Sequence, residues 1–195
     1  MSHTFVTRTF TASANDFPGS FSSIDAYEKF VAVAGGEAIE GSEKLHHLWG
    51  ATRSGWAIYT TKNILKSANL PSLQFLTDAG QQYEFEDEHT SKTSVAVFNL
   101  VEQKQVISDL KMLLSQLAAN PDAVYDAEKS GNLCDGDVEE ALKRDYVSAN
   151  PALDPLVRGD EGSSADYLFV FLRSILTLFE NANAEGLMLV HELRV

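Results

Sequence analysis

The sequence predicts an α+β fold, with helices packed on a mixed or antiparallel sheet in a single compact domain over residues 1–195. Hydrophobic residues make up 44% of the chain, which is enough for a sizeable core. Segments that alternate apolar and polar residues are interspersed with segments of helical periodicity. The clearest helical segment leads into an alternating one, which predicts a long C-terminal helix followed by a final strand.

The first elements predict a strand and then a helix. Residues 4–11 alternate Phe and Val with Thr and Arg, as in a half-buried strand. Ser23 can cap a helix whose apolar positions recur every three or four residues, and Gly35-Gly36 is expected to end it. A shorter helix is expected over residues 45–49, with Ser42 as its cap.

The next segments predict a strand, a short helix and a hairpin. Residues 56–61 are rich in aromatic and β-branched types and predict a strand, residues 62–68 a helical turn or two, and Pro71 a break. From 82 to 88, Tyr and Phe alternate with Glu, which predicts a half-buried strand with an acidic outer face. Residues 94–100 could pair with it through a turn at 89–93.

The second half predicts two helices separated by an acidic segment. Residues 101–119 have helical periodicity and end at Asn120-Pro121. Residues 122–166 carry twelve acids and four bases and predict surface helices joined by loops. A helix capped by Ser163 or Ser164 follows, Gly186 is expected to end it, and residues 187–195 alternate like a strand inside a sheet.

Part of this order resembles a known family. The helix at 101–119, Val124-Tyr125-Asp126, an acidic stretch, Asp166-Tyr167-Leu168 and an apolar strand after Gly186 resemble the C-terminal half of the YfbM-like family of small bacterial proteins. The resemblance covers about residues 100–195. It implies a fold and a bacterial source, and that family has no motif of catalytic residues to carry over.

Net charge is the strongest indication of function. The formal charge is −13, and residues 84–195 hold twenty-one acids and nine bases, which is −12 of that total. Such a field repels phosphate backbones and anionic lipids and attracts basic proteins. A nucleic-acid partner is therefore not expected, whereas a basic protein partner is.

Three other features of the sequence indicate where in the cell the protein is found. The single Cys134 excludes an intramolecular disulfide and favours a reducing cytosol. Met1 to Phe10 does not have the pattern of a secretory signal. Residues 167–179, the most hydrophobic segment, are too short to cross a bilayer. A cytoplasmic protein without a membrane partner is predicted.

The acids expected to contact a partner form two groups, one on the strand at 82–88 and one in the acidic segment. They are Glu84, Glu86, Asp87 and Glu88, and Asp135, Asp137, Glu139 and Glu140. The alternative is that these acids serve solubility alone.

The sequence matches known metal-binding patterns only in part. Asp126, Glu128, Ser130 and Asp137 fall at positions one, three, five and twelve of a calcium loop, but Cys134 and the shorter Asp at position twelve fit the template poorly. The adjacent His46 and His47 diverge on a helix, and His89 is a lone imidazole beside several acids. No metal or other cofactor is predicted.

Catalytic motifs are missing. The sequence has no G-x-S-x-G elbow, Walker loop, G-x-G-x-x-G or H-E-x-x-H. Arg8, a strand at Tyr59-Thr60-Thr61 and Glu84-Phe85-Glu86 follow the order found in ADP-ribosyltransferases, with spacings that are too short. An unrecognised enzyme of that kind, or a hydrolase, is therefore the alternative to a binding protein.

The function predicted from these observations is an immunity-type inhibitor that neutralises a basic toxin or effector. An inhibitor needs surface and charge rather than a catalytic constellation. The sequence leaves the oligomeric state open.

Overall fold

The structure, a computed structural model, describes residues 6–40, 55–77, 82–86, 92–119 and 164–194. It contains four strands in these segments, β1 (Val6–Ala12), β2 (Tyr83–Glu86), β3 (Lys92–Phe98) and β4 (Met188–Arg194). Four α-helices accompany them, α1 (Ile24–Glu40), α2 (Gly55–Ala68), α3 (Leu100–Ala119) and α4 (Ser164–Glu185), with a 3₁₀ helix at Pro71–Leu76.

The strands form one antiparallel sheet in the order β1-β4-β3-β2. β4 lies inside the sheet, where His191 is opposite Thr9 on one side and Ala96 on the other. The α+β class, the hairpin of β2 and β3, and the long helix followed by an interior strand are confirmed.

Helices supply the core on both faces of the sheet. Alternate residues of β3 separate the faces, since Val95 and Val97 belong to one buried cluster while Ala96 and Phe98 belong to the other. The first cluster, called here the aromatic cluster, is completed by α1 and the preceding loop and includes Phe21, Tyr27 and Phe30. The second is completed by α2, the 3₁₀ helix, α3 and α4. The sheet is therefore the middle layer of three.

Local signals set two helix ends where the sequence predicted them, the start of α1 and the end of α4. Ser23 Oγ accepts a hydrogen bond from Ala26 N at 3.2 Å, as expected of an N-cap. At the end of α4, Leu187 N donates to Ala182 O at 2.9 Å, and Gly186 adopts a φ of 72°. This is a Schellman motif, in which glycine tolerates the left-handed conformation.

Two predictions about helices and strands are wrong. Gly35-Gly36 does not end α1, which continues to Glu40. Residues 56–61 are not a strand, because they lie inside α2. There Thr61, Ile64 and Leu65 are all buried at helical spacing, so packing on the core outweighs the local preference for a strand.

Several predictions lie outside the described residues. These are the helix at 45–49, the turn at 89–93, the helix end at Asn120-Pro121, and the loops and surface helices over most of 122–166.

Candidate functional site

The hairpin places two of the predicted contact acids at an edge of the sheet. β2 is the last strand in the strand order, and along it Tyr83 and Phe85 are half-buried while Glu84 and Glu86 are exposed. Lys92 Nζ lies 2.8 Å from Glu84 Oε1, and both side chains remain partly open to solvent. Glu84 and Glu86 are called the acidic edge below.

The buried side of β2 holds the acidic edge in place. The Tyr83 ring contacts Phe21 edge-on, with centroids 5.1 Å apart. The Phe85 ring stacks on Tyr27 at 6.0 Å. Both are contacts with the aromatic cluster, so the outward direction of the two carboxylates is fixed by alternation along a packed strand.

Most of the other candidate site residues lie outside the described part of the chain. This holds for Asp87 and Glu88, for the acids of the second group, for the calcium-loop candidates and for three histidines. They are Asp135, Asp137, Glu139 and Glu140; Asp126, Glu128 and Ser130; and His46, His47 and His89. Within the described residues, no group of three or more His, Cys, Asp or Glu side chains could hold a metal ion.

A cleft of about 380 Å³ lies beside the hairpin, and we call it the hairpin cleft. The apolar part of its lining is Phe17, Tyr83, Val97 and Met188, and Gln82, Asn99 and Glu102 supply polar side chains. These residues come from the loop before α1, the hairpin, the start of α3 and the start of β4. The cleft was not predicted from the sequence, because no local pattern brings such distant segments together.

Hydrogen bonds fix the polar wall of the hairpin cleft. Gln82 Nε2 donates to Val97 O at 3.0 Å, and its Oε1 accepts from Val97 N at 3.0 Å. Asn99 caps α3, and Glu102 Oε2 accepts a hydrogen bond from Asn99 N at 2.8 Å in return. The reciprocal pair is a capping box, so Glu102 has a defined position at the cleft.

A buried carboxylate lies on the same face of the sheet, on β4. Glu192 is 3% exposed, and its two oxygens accept hydrogen bonds from Tyr27 Oη at 2.6 Å and from Arg194 Nε at 2.7 Å. This cluster of Glu192, Tyr27 and Arg194 was not predicted from the sequence either. A signal was present, since a glutamate follows two apolar residues, Met188 and Val190, at the alternate positions of a predicted interior strand.

His191 faces the opposite side of the sheet and is fully buried. Its Nδ1 shares a hydrogen bond of 2.9 Å with Thr9 Oγ1, while Nε2 has no hydrogen-bond partner among the described residues. Burial lowers the pKa of the imidazole to about 4, and the nearby Glu192 raises it only in part. His191 is therefore neutral at pH 7, and it does not share a site with the Glu192 carboxylate.

The structure does not contain the strand at Tyr59-Thr60-Thr61 that an ADP-ribosyltransferase-like arrangement would need. Tyr59, Thr60 and Thr61 lie in α2 rather than in the strand that the comparison required. No helix among the described residues is long and apolar enough to pass through a bilayer.

No family model matches this sequence, and no curated protein or solved structure matches it either. The resemblance of residues 100–195 to the YfbM-like family therefore stays a prediction.

Proposed function

We propose that the protein is an acidic binding protein that docks onto a basic protein, as an immunity protein does when it covers the cationic active site of a toxin. The observation that carries this proposal is the acidic edge, two exposed carboxylates on a packed strand in a chain of net charge −13. A field of one sign accelerates encounter with a partner of the opposite sign.

The position of the acidic edge supports a contact role. A carboxylate on a fixed strand loses little conformational freedom on binding, whereas one on a flexible loop has to be ordered first. The aromatic rings of Tyr83 and Phe85 supply that fixation from the buried side. Lys92 offsets part of the charge of Glu84, so Glu86 is the stronger candidate for a direct ion pair with the partner.

The test uses the effector gene that we expect directly upstream of the gene for this protein. Co-expression with the wild-type protein should restore growth of cells that express the effector. Affinity for the purified effector should fall as NaCl is raised, because screening weakens contacts between opposite charges. A missing effector gene, or co-expression that leaves growth arrested, would overturn the proposal.

Charge variants locate the surface. Glu84→Gln with Glu86→Gln should weaken effector binding about thirtyfold if each lost charge contributes about 1 kcal/mol. The matched control is Glu28→Gln with Glu185→Gln, which removes the same charge from exposed positions on α1 and α4. Equal losses in the two pairs would mean that the total charge of the protein, and not the acidic edge, determines its affinity for the effector.

A further inference from the structure

We propose that the hairpin cleft is a binding site for the cationic end of a lysine or arginine side chain. The proposal rests on the proposed function for the source of that side chain, a basic protein partner. The preference for a cation comes from the charge and the lining of the cleft itself.

Charge selects the class of ligand. Glu102 is the single charged residue among the described residues that line the hairpin cleft. Its Oε2 is engaged by Asn99 N, while Oε1 has no hydrogen-bond partner among the described residues. An ammonium or guanidinium group can donate to that oxygen in a charge-assisted hydrogen bond, whereas an anionic ligand would be repelled.

The apolar lining suits the stem of the same side chain. Lysine and arginine carry three or four methylene groups behind the charge, and these favour contact with apolar walls such as Val97 and Met188. Phe17 and Tyr83 add aromatic rings, which attract cations through their π systems. A cleft with both features favours a long cationic side chain over a small inorganic ion.

The site is formed before any ligand arrives. Phe17 is held against Phe21 and Phe30, with ring centroids 5.4 Å and 6.1 Å apart. The ring of Tyr83 packs against Phe21. Two hydrogen bonds to the Val97 backbone fix the side chain of Gln82, and the capping box fixes that of Glu102. Binding therefore needs little reordering of the walls, which lowers its entropic cost.

The experiment follows backbone and side-chain amide signals by NMR while a capped amino acid is added. The probes are N-acetyl-arginine methylamide, the norleucine analogue of similar length without charge, and the glutamate analogue. We expect saturable shifts centred on Gln82, Tyr83 and Asn99 with the arginine probe, a dissociation constant in the millimolar range, and shifts at least fivefold weaker with the other two. Equal binding of the norleucine probe, or no shift in the cleft, would overturn the proposal.

Glu102→Gln is the decisive variant, because glutamine keeps the acceptor that the capping box needs and removes only the charge. It should weaken binding of the arginine probe by about tenfold while the helical signals of α3 stay unchanged. Glu28→Gln, at an exposed position on α1 that belongs neither to the cleft nor to the acidic edge, is the matched control and should leave the probe affinity as it is. An unchanged affinity in Glu102→Gln would refute the role of the carboxylate.

The outcomes separate this inference from the proposed function. If the arginine probe binds in the cleft but the effector does not bind the protein, the proposed function fails and the cleft preference stands. If the effector binds through the acidic edge but the arginine probe leaves the cleft signals unmoved, only the inference about the cleft fails.

Discussion

Two neighbouring residues of β4 show how this sheet buries polar side chains. The Glu192 carboxylate accepts hydrogen bonds from Tyr27 at 2.6 Å and from Arg194 at 2.7 Å. His191 points to the other face, where Thr9 satisfies one ring nitrogen and apolar residues such as Phe75 surround the ring. Desolvation of the His191 ring outweighs the attraction of the nearby Glu192 and favours the neutral imidazole. Of these two adjacent buried residues, Glu192 accepts hydrogen bonds from a tyrosine and an arginine, whereas His191 has one hydrogen bond and packs against apolar side chains.

The free energy of unfolding should depend on pH because the pKa of His191 differs between the folded and the unfolded chain. Its pKa is about 4 in the folded protein and close to 6.5 in the unfolded chain, so below pH 6.5 the unfolded state binds more protons. The stabilisation is complete above pH 6.5 and is lost as the pH falls towards 4. At pH 5.5 the free energy of unfolding from urea denaturation should be about 1.4 kcal/mol lower than at pH 7.5 on this account.

A direct measurement separates this effect from the carboxylates. The NMR shift of the His191 Cε1 proton should stay constant from pH 8 to pH 5. Thr9→Val is a useful control for the hydrogen bond, because it removes the hydroxyl without removing the titrating group, so the slope of stability against pH should persist. Titration of His191 near pH 6.5 would contradict the expectation.

Among the helices and strands, the features predicted correctly were those that depend on local sequence, namely alternation along a strand and the residues that cap a helix. The pattern of β2, the Ser23 cap at the start of α1 and the glycine end of α4 are local, and so Glu84 and Glu86 were placed correctly on an exposed strand face. The second half of α2 was predicted as a helical turn or two at 62–68, but its first half was missed because residues 56–61 have a strand-like composition. Within this helix Thr61, Ile64 and Leu65 are buried against residues distant in sequence. The hairpin cleft and the partners of Glu192 also depend on contacts between segments remote in sequence, which no single pattern reveals.

Two glycines should respond oppositely to the same substitution. Gly186→Ala places a side chain at a φ of 72°, which costs about 1–2 kcal/mol. Gly36→Ala lies within α1, where alanine is favoured over glycine by about 1 kcal/mol. Thermal melts should show a lower Tm for the first variant and a higher Tm for the second. A lower Tm for Gly36→Ala would contradict the continuation of α1 past the glycine pair.

For the whole molecule, charge and packing act in opposite directions. Buried clusters on both faces of the sheet hold the layers together, while a net charge of −13 favours expansion. Surface ion pairs offset little of this. The contact of Lys111 with Glu180, which joins α3 to α4 at 2.6 Å, is largely exposed, and such pairs contribute less than about 1 kcal/mol.

Salt should therefore stabilise the protein at pH 7. Raising NaCl from 10 to 150 mM shortens the screening length from about 30 Å to about 8 Å and weakens repulsion among the acids. A gain of about 1 kcal/mol would raise Tm by roughly 2–4 °C. The same rise in KCl would exclude a specific sodium effect, and the Glu28→Gln, Glu185→Gln pair should show a smaller rise. A Tm that falls with salt would mean that attractive pairs dominate.

The place of β4 between β1 and β3 has a consequence for synthesis of the chain. β1 is complete by residue 12, yet its partner in the sheet begins only at Met188. At roughly 5–20 residues per second, the ribosome needs about 10 to 35 seconds to make the residues between them. During that interval Phe10 lacks the strand that later pairs with it, and β3 has an open edge. Aggregation in this window depends on how fast translation delivers β4, and chaperones that shield exposed strands would act on the growing chain before the sheet can close.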